Sequence, residues 1–283
     1  MINFKDQIFN CKNIIIFSLD KKNFIKAFTR FITFLYKLNI FIFKIFFINK
    51  KIEEFPVESK QLNEVFIHFK TNKGSHFFSD NIKHSGHGYD AFYEKLFKEN
   101  RTKNLNIMEF GIHHGDSLAA LSSYFPNANI VGVDKNPFST NYKSKKIRTL
   151  HCDVSSEKNL ESLSNYLNKD YDYIIDDASH NPIHQKLTLF SMFQNLKSGG
   201  IFVIEELNFF QSENNKDDSN QNFLRNLLID VSKKSETILK SKYNDKIMNF
   251  IDDVQDVEIN KGVLTHKGVN AVSYTHLTLP TKA

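Results

Sequence analysis

Two stretches of this chain end in paired carboxylates. The run 171–177 (YDYIIDD) closes on Asp176 and Asp177, and the run 201–206 (IFVIEE) closes on Glu205 and Glu206. His180 follows the first pair by three residues. Both runs are short, apolar and of strand character. In an open parallel sheet, consecutive strands bring their C-terminal ends to one edge, where ligands bind. Four carboxylates and an imidazole gathered there are costly unless they hold a cation or move protons. Read singly, Asp176 and Asp177 could be acids capping the next helix and His180 a solvent-facing loop residue. The second acidic pair on the adjoining strand favours the cation site. Neighbouring strand residues face opposite ways, so Asp176 is expected to point elsewhere, towards packing or cofactor support.

A second group of residues stands at 109–117, Glu109-Phe-Gly111-Ile-His-His-Gly115-Asp-Ser117, between an apolar run (NIMEF) and a helix-like stretch. A dinucleotide site would show glycines spaced GxGxxG, which let a helix start approach a pyrophosphate. Here the glycines are further apart and an acid precedes the turn. A carboxylate there would repel a pyrophosphate and suits a cationic amine. Asp134 ends the next run (NIVGVD) and is placed to bind a ribose diol. Asp153, after IRTLHCD, is placed to face an adenine amine. An amine, a ribose and an adenine on one molecule indicate S-adenosyl-L-methionine, bound by Glu109, Gly111, Gly115, Ser117, Asp134 and Asp153 with Asp176 in support.

The elements that must position these groups alternate. Runs of strand character start at Asn106, Asn129, Ile147, Tyr171 and Ile201. Helical patterns fall between them, as at 158–167 and 183–196. Short connections between alternating strands and helices predict an α/β fold, a doubly wound, mostly parallel Rossmann-like sheet. Upstream, Tyr89–Phe97 has helical spacing, and His76, His84 and His87 fall in a Gly/Ser-rich loop at no metal-ligand spacing. Downstream, 222–238 reads as a helix and VEINKGVLTHKG as a closing pair of strands.

The chain has room for one large domain plus an appendage. Cys11 and Cys152 match no metal or redox spacing and read as reduced thiols of a cytosolic protein. No cleavable signal is evident. Residues 1–51 carry ten Lys/Arg against Asp6 and Asp20, a net of +8, which leaves −3 for the rest of a chain whose total is +5. Basicity confined to one arm weighs against nucleic acid as the substrate. Within the arm, Lys26, Arg30, Lys37 and Lys44 fall within roughly 40° of one another on a helix, forming one stripe beside a broad apolar face. Such a helix over 22–48 serves equally a membrane interface at the inner face, the protein core or another copy of the chain. Its lysines interrupt the ~20 apolar residues that a spanning helix needs. Residues 52–64 read as a linker and 65–271 as the main domain. The end, 272–283, contains VSYTHLTLPT, which resembles the in-frame translation of a sequencing adapter.

The pieces TNKGS, HGYDAFYEKLF, EFGIHHGDSL, VGVDKNP, IIDDASH and GGIFVIEEL, on and around the run from Lys73 to Glu206, carry a family resemblance. Together they resemble the class I S-adenosylmethionine-dependent methyltransferases, and more narrowly the metal-dependent sugar O-methyltransferases of the macrocin and mycinamicin type. The resemblance implies Mg²⁺ or another divalent cation on Asp177, Glu205 and Glu206, and His180 as catalytic base. The family pattern has Asp where this chain has Glu206, one methylene longer, and Gly where it has Ala178. An alcohol is a poor methyl acceptor until its proton leaves. A bound cation acidifies it, and a nearby histidine takes the proton. The expected protein is a sugar O-methyltransferase working on a carbohydrate acceptor in glycan, polysaccharide or glycoside biosynthesis. The alternatives are a metal-free methyltransferase of small non-sugar metabolites and a non-catalytic cofactor-binding scaffold.

Overall fold

The computed structural model describes residues 3–16, 24–54, 61–167, 170–207, 219–233, 236–261 and 273–278. The chain divides into two compact units, Met1–Asp153 and Val154–Ala283.

The first unit opens with helices α1 (Phe4–Ile16) and α2 (Phe24–Phe43), the latter continued by a wider turn, Lys44–Ile48. A two-residue strand β1 (Lys50–Lys51) and helix α3 (Leu62–His68) follow, then a hairpin of β2 (His76–Ser79) and β3 (Ile82–Ser85), and helix α4 (Asp90–Phe97). Next come β4 (Asn106–Phe110), α5 (Asp116–Tyr124), β5 (Asn129–Asp134), β6 (Tyr142–Lys143), which pairs with β1, and β7 (Ile147–His151). Strand β5 lies between β4 and β7, parallel to both. These three strands are buried on both faces, as continuous apolar runs in a parallel sheet should be. Helix α5 supplies Leu118, Ala119 and Ala120 to that packing.

The outer edge of β7 is covered by α1. Asn10 behaves as a surrogate strand: its Oδ1 accepts from His151 N at 2.7 Å and its Nδ2 donates to Thr149 O at 3.3 Å. Asp6 is buried and takes both Nε (2.9 Å) and Nη2 (2.6 Å) of Arg148. An open edge would leave these main-chain groups to solvent or to another chain. The arm is therefore built into the first unit. Helix α2 adds Phe34 and Phe41, whose rings lie 5.8 and 5.0 Å from that of Phe138.

The second unit contains α6 (Glu157–Tyr166), β8 (Tyr171–Asp176), α7 (Pro182–Met192), β9 (Leu196–Ile204), α8 (Ser219–Ser232), α9 (Glu236–Lys242), α10 (Asp245–Asp252), β10 (Asp256–Lys261) and β11 (Ser273–Thr278). Strands β8 and β9 are parallel, and β11 runs antiparallel to both β9 and β10. Helix α7 starts where the sequence dictates: the Asn181 side chain accepts from Ile183 N at 2.9 Å, and Pro182 takes the first position, where no N–H is needed. Two details differ from expectation. Strand β9 begins at Leu196, ahead of Gly199 and Gly200, and the partner of β10 is β11 within 272–283. Residues 262–268 of the expected closing pair lie outside the described residues. Parallel strands alternating with helices make each unit α/β, the class the sequence predicts.

Candidate functional site

The glycine-rich turn between β4 and α5 is held from several sides. Gly111 N donates to Val133 O at 2.8 Å, and Ile112 N to Asp134 Oδ2 at 3.0 Å. Asp134 also accepts from Asn136 N at 2.7 Å. Gly115 (φ +82°) ends the turn in the left-handed region, and a Cβ there would strike the Thr140 hydroxyl. Only glycine combines that backbone with that approach. Glu109 is fully buried at the end of β4, and its Oε1 receives the Ser117 hydroxyl at 2.7 Å. Hydrogen bonds thus hold Ser117 to Glu109 at one side of the turn and Asp134 to its backbone at the other.

The same Oε1 also meets Lys73 Nζ at 3.2 Å, in an ion pair with both side chains at 2 % exposure or less. Sequence reasoning assigned Lys73 no role, although it stands in the TNKGS piece. Its position follows from backbone pairing of that piece with 86–89. Gly86, His87, Gly88 and Tyr89 donate in turn to Ser75, Asn72, Gly74 and Lys73 oxygens at 2.6–3.0 Å. A Cβ on Gly86 would strike the Gly74 carbonyl. The two loops close on each other, and the ammonium is delivered to the end of β4.

Asp134 and Asp153 act on one imidazole. His151 is buried at the end of β7, and its proton affinity falls to a pKa of about 4. Burial is the dominant cause, resisted by Asp153 and Asp134 and aided by Lys37. The unfolded chain takes that proton near pH 6.5, the folded one only near 4, so the unfolded state binds more protons between them. Stability should therefore fall by about 3 kcal/mol as pH drops through that window. Urea midpoints at pH 7 and 4.5 should show a smaller acid loss for His151→Leu than for the parent chain. Equal losses would refute the assignment.

In the second unit, Asp176, the last residue of β8, is buried. Its Oδ1 accepts from Ala178 N at 3.3 Å, and burial raises its carboxyl to a pKa of about 6. Asp177 and Glu206 converge on His180, with Nε2 3.9 Å from Asp177 Oδ1 and 3.7 Å from Glu206 Oε2. Glu205 is buried beside them. Its N–H donates to Asp176 O at 3.0 Å and its C=O accepts from Gln185 Nε2 at 2.8 Å. Gln185, a buried helix residue, was not foreseen, because a glutamine on the inner face of α7 carries no sequence signal. His180 (φ +55°) and Glu206 (φ +54°) both take left-handed backbone, which costs a non-glycine residue about 1–3 kcal/mol. Strain of this kind concentrates where a side chain must be aimed. Among the described residues, no group of three His, Cys, Asp or Glu stands ready-made as a metal ligand set. The donors nonetheless suit a hard cation in kind: two carboxylates meet at one imidazole, with a third adjacent in sequence.

Fold and carboxylates together place the chain beside the class I S-adenosylmethionine-dependent methyltransferases, and within them beside the macrocin and mycinamicin type. The mycinamicin VI 2''-O-methyltransferase of Micromonospora griseorubida is 27% identical over 128 residues, 43% of this chain and 32% of that protein. A tetracenomycin rhamnosyl 3'-O-methyltransferase of Streptomyces olivaceus is 30% identical and the demethylmacrocin O-methyltransferase of Streptomyces fradiae 28% identical, each over 128 residues, 43% of this chain and 32% of the relative. The MycE methyltransferase, solved with Mg, SAH and mycinamycin VI, shares the fold at a TM-score of 0.58 and 18% identity, over 78% of this chain and 55% of its own. The chain spans about a third of the length of the curated relatives it matches. No protein-family model matches it.

Proposed function

We propose that this chain is an S-adenosylmethionine-dependent O-methyltransferase acting on a sugar hydroxyl of a glycan or glycoside. The observation that carries the reading is the meeting of Asp177 and Glu206 at His180, beyond the C-terminal ends of two parallel strands. Glu109, Gly111, Gly115, Ser117, Asp134 and Asp153 would bind the cofactor, with Asp176 bracing the loop after β8. Asp177, Glu205 and Glu206 would hold a divalent cation such as Mg²⁺, which lowers the pKa of a hydroxyl bound to it. His180 would take the acceptor's proton at Nε2 as the oxygen attacks the methyl carbon and the thioether leaves. The His180 side chain is partly exposed. The named activity of the tetracenomycin relative, a 3'-O-methyltransferase of a rhamnosyl tetracenomycin, supports the sugar acceptor.

The test is methyl transfer from S-adenosylmethionine to nucleotide sugars and glycosides, with Mg²⁺ and with a chelator. Transfer should require the cation. Asp177→Asn should lower it by more than about 100-fold, above the loss typical of a residue one layer from a metal, and should weaken Mg²⁺ binding measured by calorimetry. Activity that survives both the chelator and Asp177→Asn would favour the metal-free, non-sugar methyltransferase. Cofactor binding without turnover on any acceptor would favour the scaffold.

A further inference from the structure

Helix α2 and the turn that continues it have three sides. One side is packed: Phe34 and Phe41 are buried against Phe138, with Leu38 and Ile45 alongside. A second side carries Arg30, Lys37 and Lys44. The first two are exposed, and Lys44 bonds to Thr140 O and Asn141 Oδ1, each at 3.3 Å. The third and widest side is apolar and open to solvent. Phe28, Ile32, Tyr36, Phe43 and Phe47 point outward there with 49–77% of their surface exposed. At about 100° per residue, the α2 members of this side lie opposite the Phe34–Phe41 stripe. A contiguous apolar face of this extent marks an interaction surface.

We propose that this face seats the protein in the plane of an anionic lipid surface, with α2 parallel to it. Charge identifies the occupant. The arm has a net charge of +8. Within its described residues the one acidic side chain is Asp6, which is buried and neutralised by Arg148. Lys5, Lys12, Lys50 and Lys51 are exposed around the helix. Anionic headgroups complement this distribution, and basic residues beside an apolar helix face add to its membrane affinity. A second copy docking through the same face would bring two such arms together, since a two-fold contact uses the same patch on both chains.

The helix lies on the surface rather than crossing it. Phe28–Ile48 is long and apolar enough to span by length and composition, and its mean hydropathy is 1.9. Spanning would require stripping Phe34 and Phe41 from Phe138 and breaking the Lys44 bonds. A helix held along one side to a folded unit can offer lipid only its opposite side. The inference does not depend on the transferase reading.

Flotation of the full chain with vesicles tests it. Binding is expected to vesicles of equal parts phosphatidylglycerol and phosphatidylcholine, to be much weaker with phosphatidylcholine alone, and to reverse in high salt. Removing the whole arm would expose the β7 edge, so the informative variants are outward-facing. Ile32→Glu combined with Phe43→Glu should abolish flotation, and Arg30→Glu combined with Lys37→Glu should weaken it by about tenfold or more. Both should keep the thermal melt of the parent, because none of the four side chains is buried. Flotation indifferent to both pairs of substitutions overturns the proposal. Retention through alkaline carbonate washing overturns it in favour of a spanning helix. A lipid-free dimer that Ile32→Glu/Phe43→Glu dissolves overturns it in favour of a second copy.

Discussion

His180→Gly is expected to lower methyl transfer by about 10²- to 10⁴-fold, the usual contribution of a positioned general base, while leaving the protein at least as stable as the parent. The two halves of that result come from the same geometry. The imidazole lies within 4 Å of both Asp177 and Glu206 and is partly exposed, which is where the proposed base would meet an acceptor hydroxyl. Its backbone is left-handed, at φ +55°. Glycine adopts that conformation without steric cost, which returns about 1 kcal/mol to offset its greater freedom in the unfolded chain. Lost activity with retained stability separates a chemical role from a structural one. Affinity for S-adenosylmethionine, read by calorimetry, should move little. Imidazole added to the assay should restore part of the rate to the glycine variant. A variant within tenfold of the parent rate would sink the assignment, and equal loss of rate and cofactor affinity would make His180 a positioning residue.

What could be read in advance divides by the range of the interaction. Strands β8 and β9 announce themselves, because a strand buried on both faces is a continuous apolar run and its carboxylates mark where that run ends. The glycines of the β4–α5 turn were equally plain, since few other residues tolerate a left-handed turn beside Thr140. The coupling of Asn10 to β7 was not readable. An asparagine that imitates a strand 139 residues away looks like any helix asparagine. Lys73 failed to show for the same reason: its pairing with Glu109 depends on two loops closing on each other. The arm is the intermediate case. Periodicity located the cationic stripe, but Phe34 and Phe28 are the same residue type, and only the position of Phe138 decides which of them is buried. The carboxylates proposed to hold a cation were legible as a set of types. Their arrangement was not, because a turn that places Glu206 in left-handed backbone has no signature in a Glu-Glu-Leu sequence.

Lys73→Met is expected to destabilise the protein by about 3–5 kcal/mol, the cost of removing one partner of a buried ion pair and leaving the other charged. The pair qualifies because Lys73 is 2% exposed and Glu109 is 0% exposed. Methionine matches the length and apolar stem of lysine, so the loss reports charge rather than a cavity. Adding Glu109→Gln to Lys73→Met should recover a large part of that stability, since the abandoned carboxylate becomes neutral and keeps its hydrogen bond from Ser117. Urea midpoints of the two variants test this directly, and a single variant within 1 kcal/mol of the parent would contradict it. The double variant also separates two demands on Glu109. If its carboxylate serves only to anchor Lys73 beneath the turn, a refolded Lys73→Met/Glu109→Gln protein should bind S-adenosylmethionine normally. If it also receives the cofactor's ammonium, as proposed, affinity should stay at least about tenfold low despite recovered stability, the cost expected for losing a hydrogen bond to a charged group. Stability and affinity then part company at one residue, which no variant of Lys73 alone can achieve.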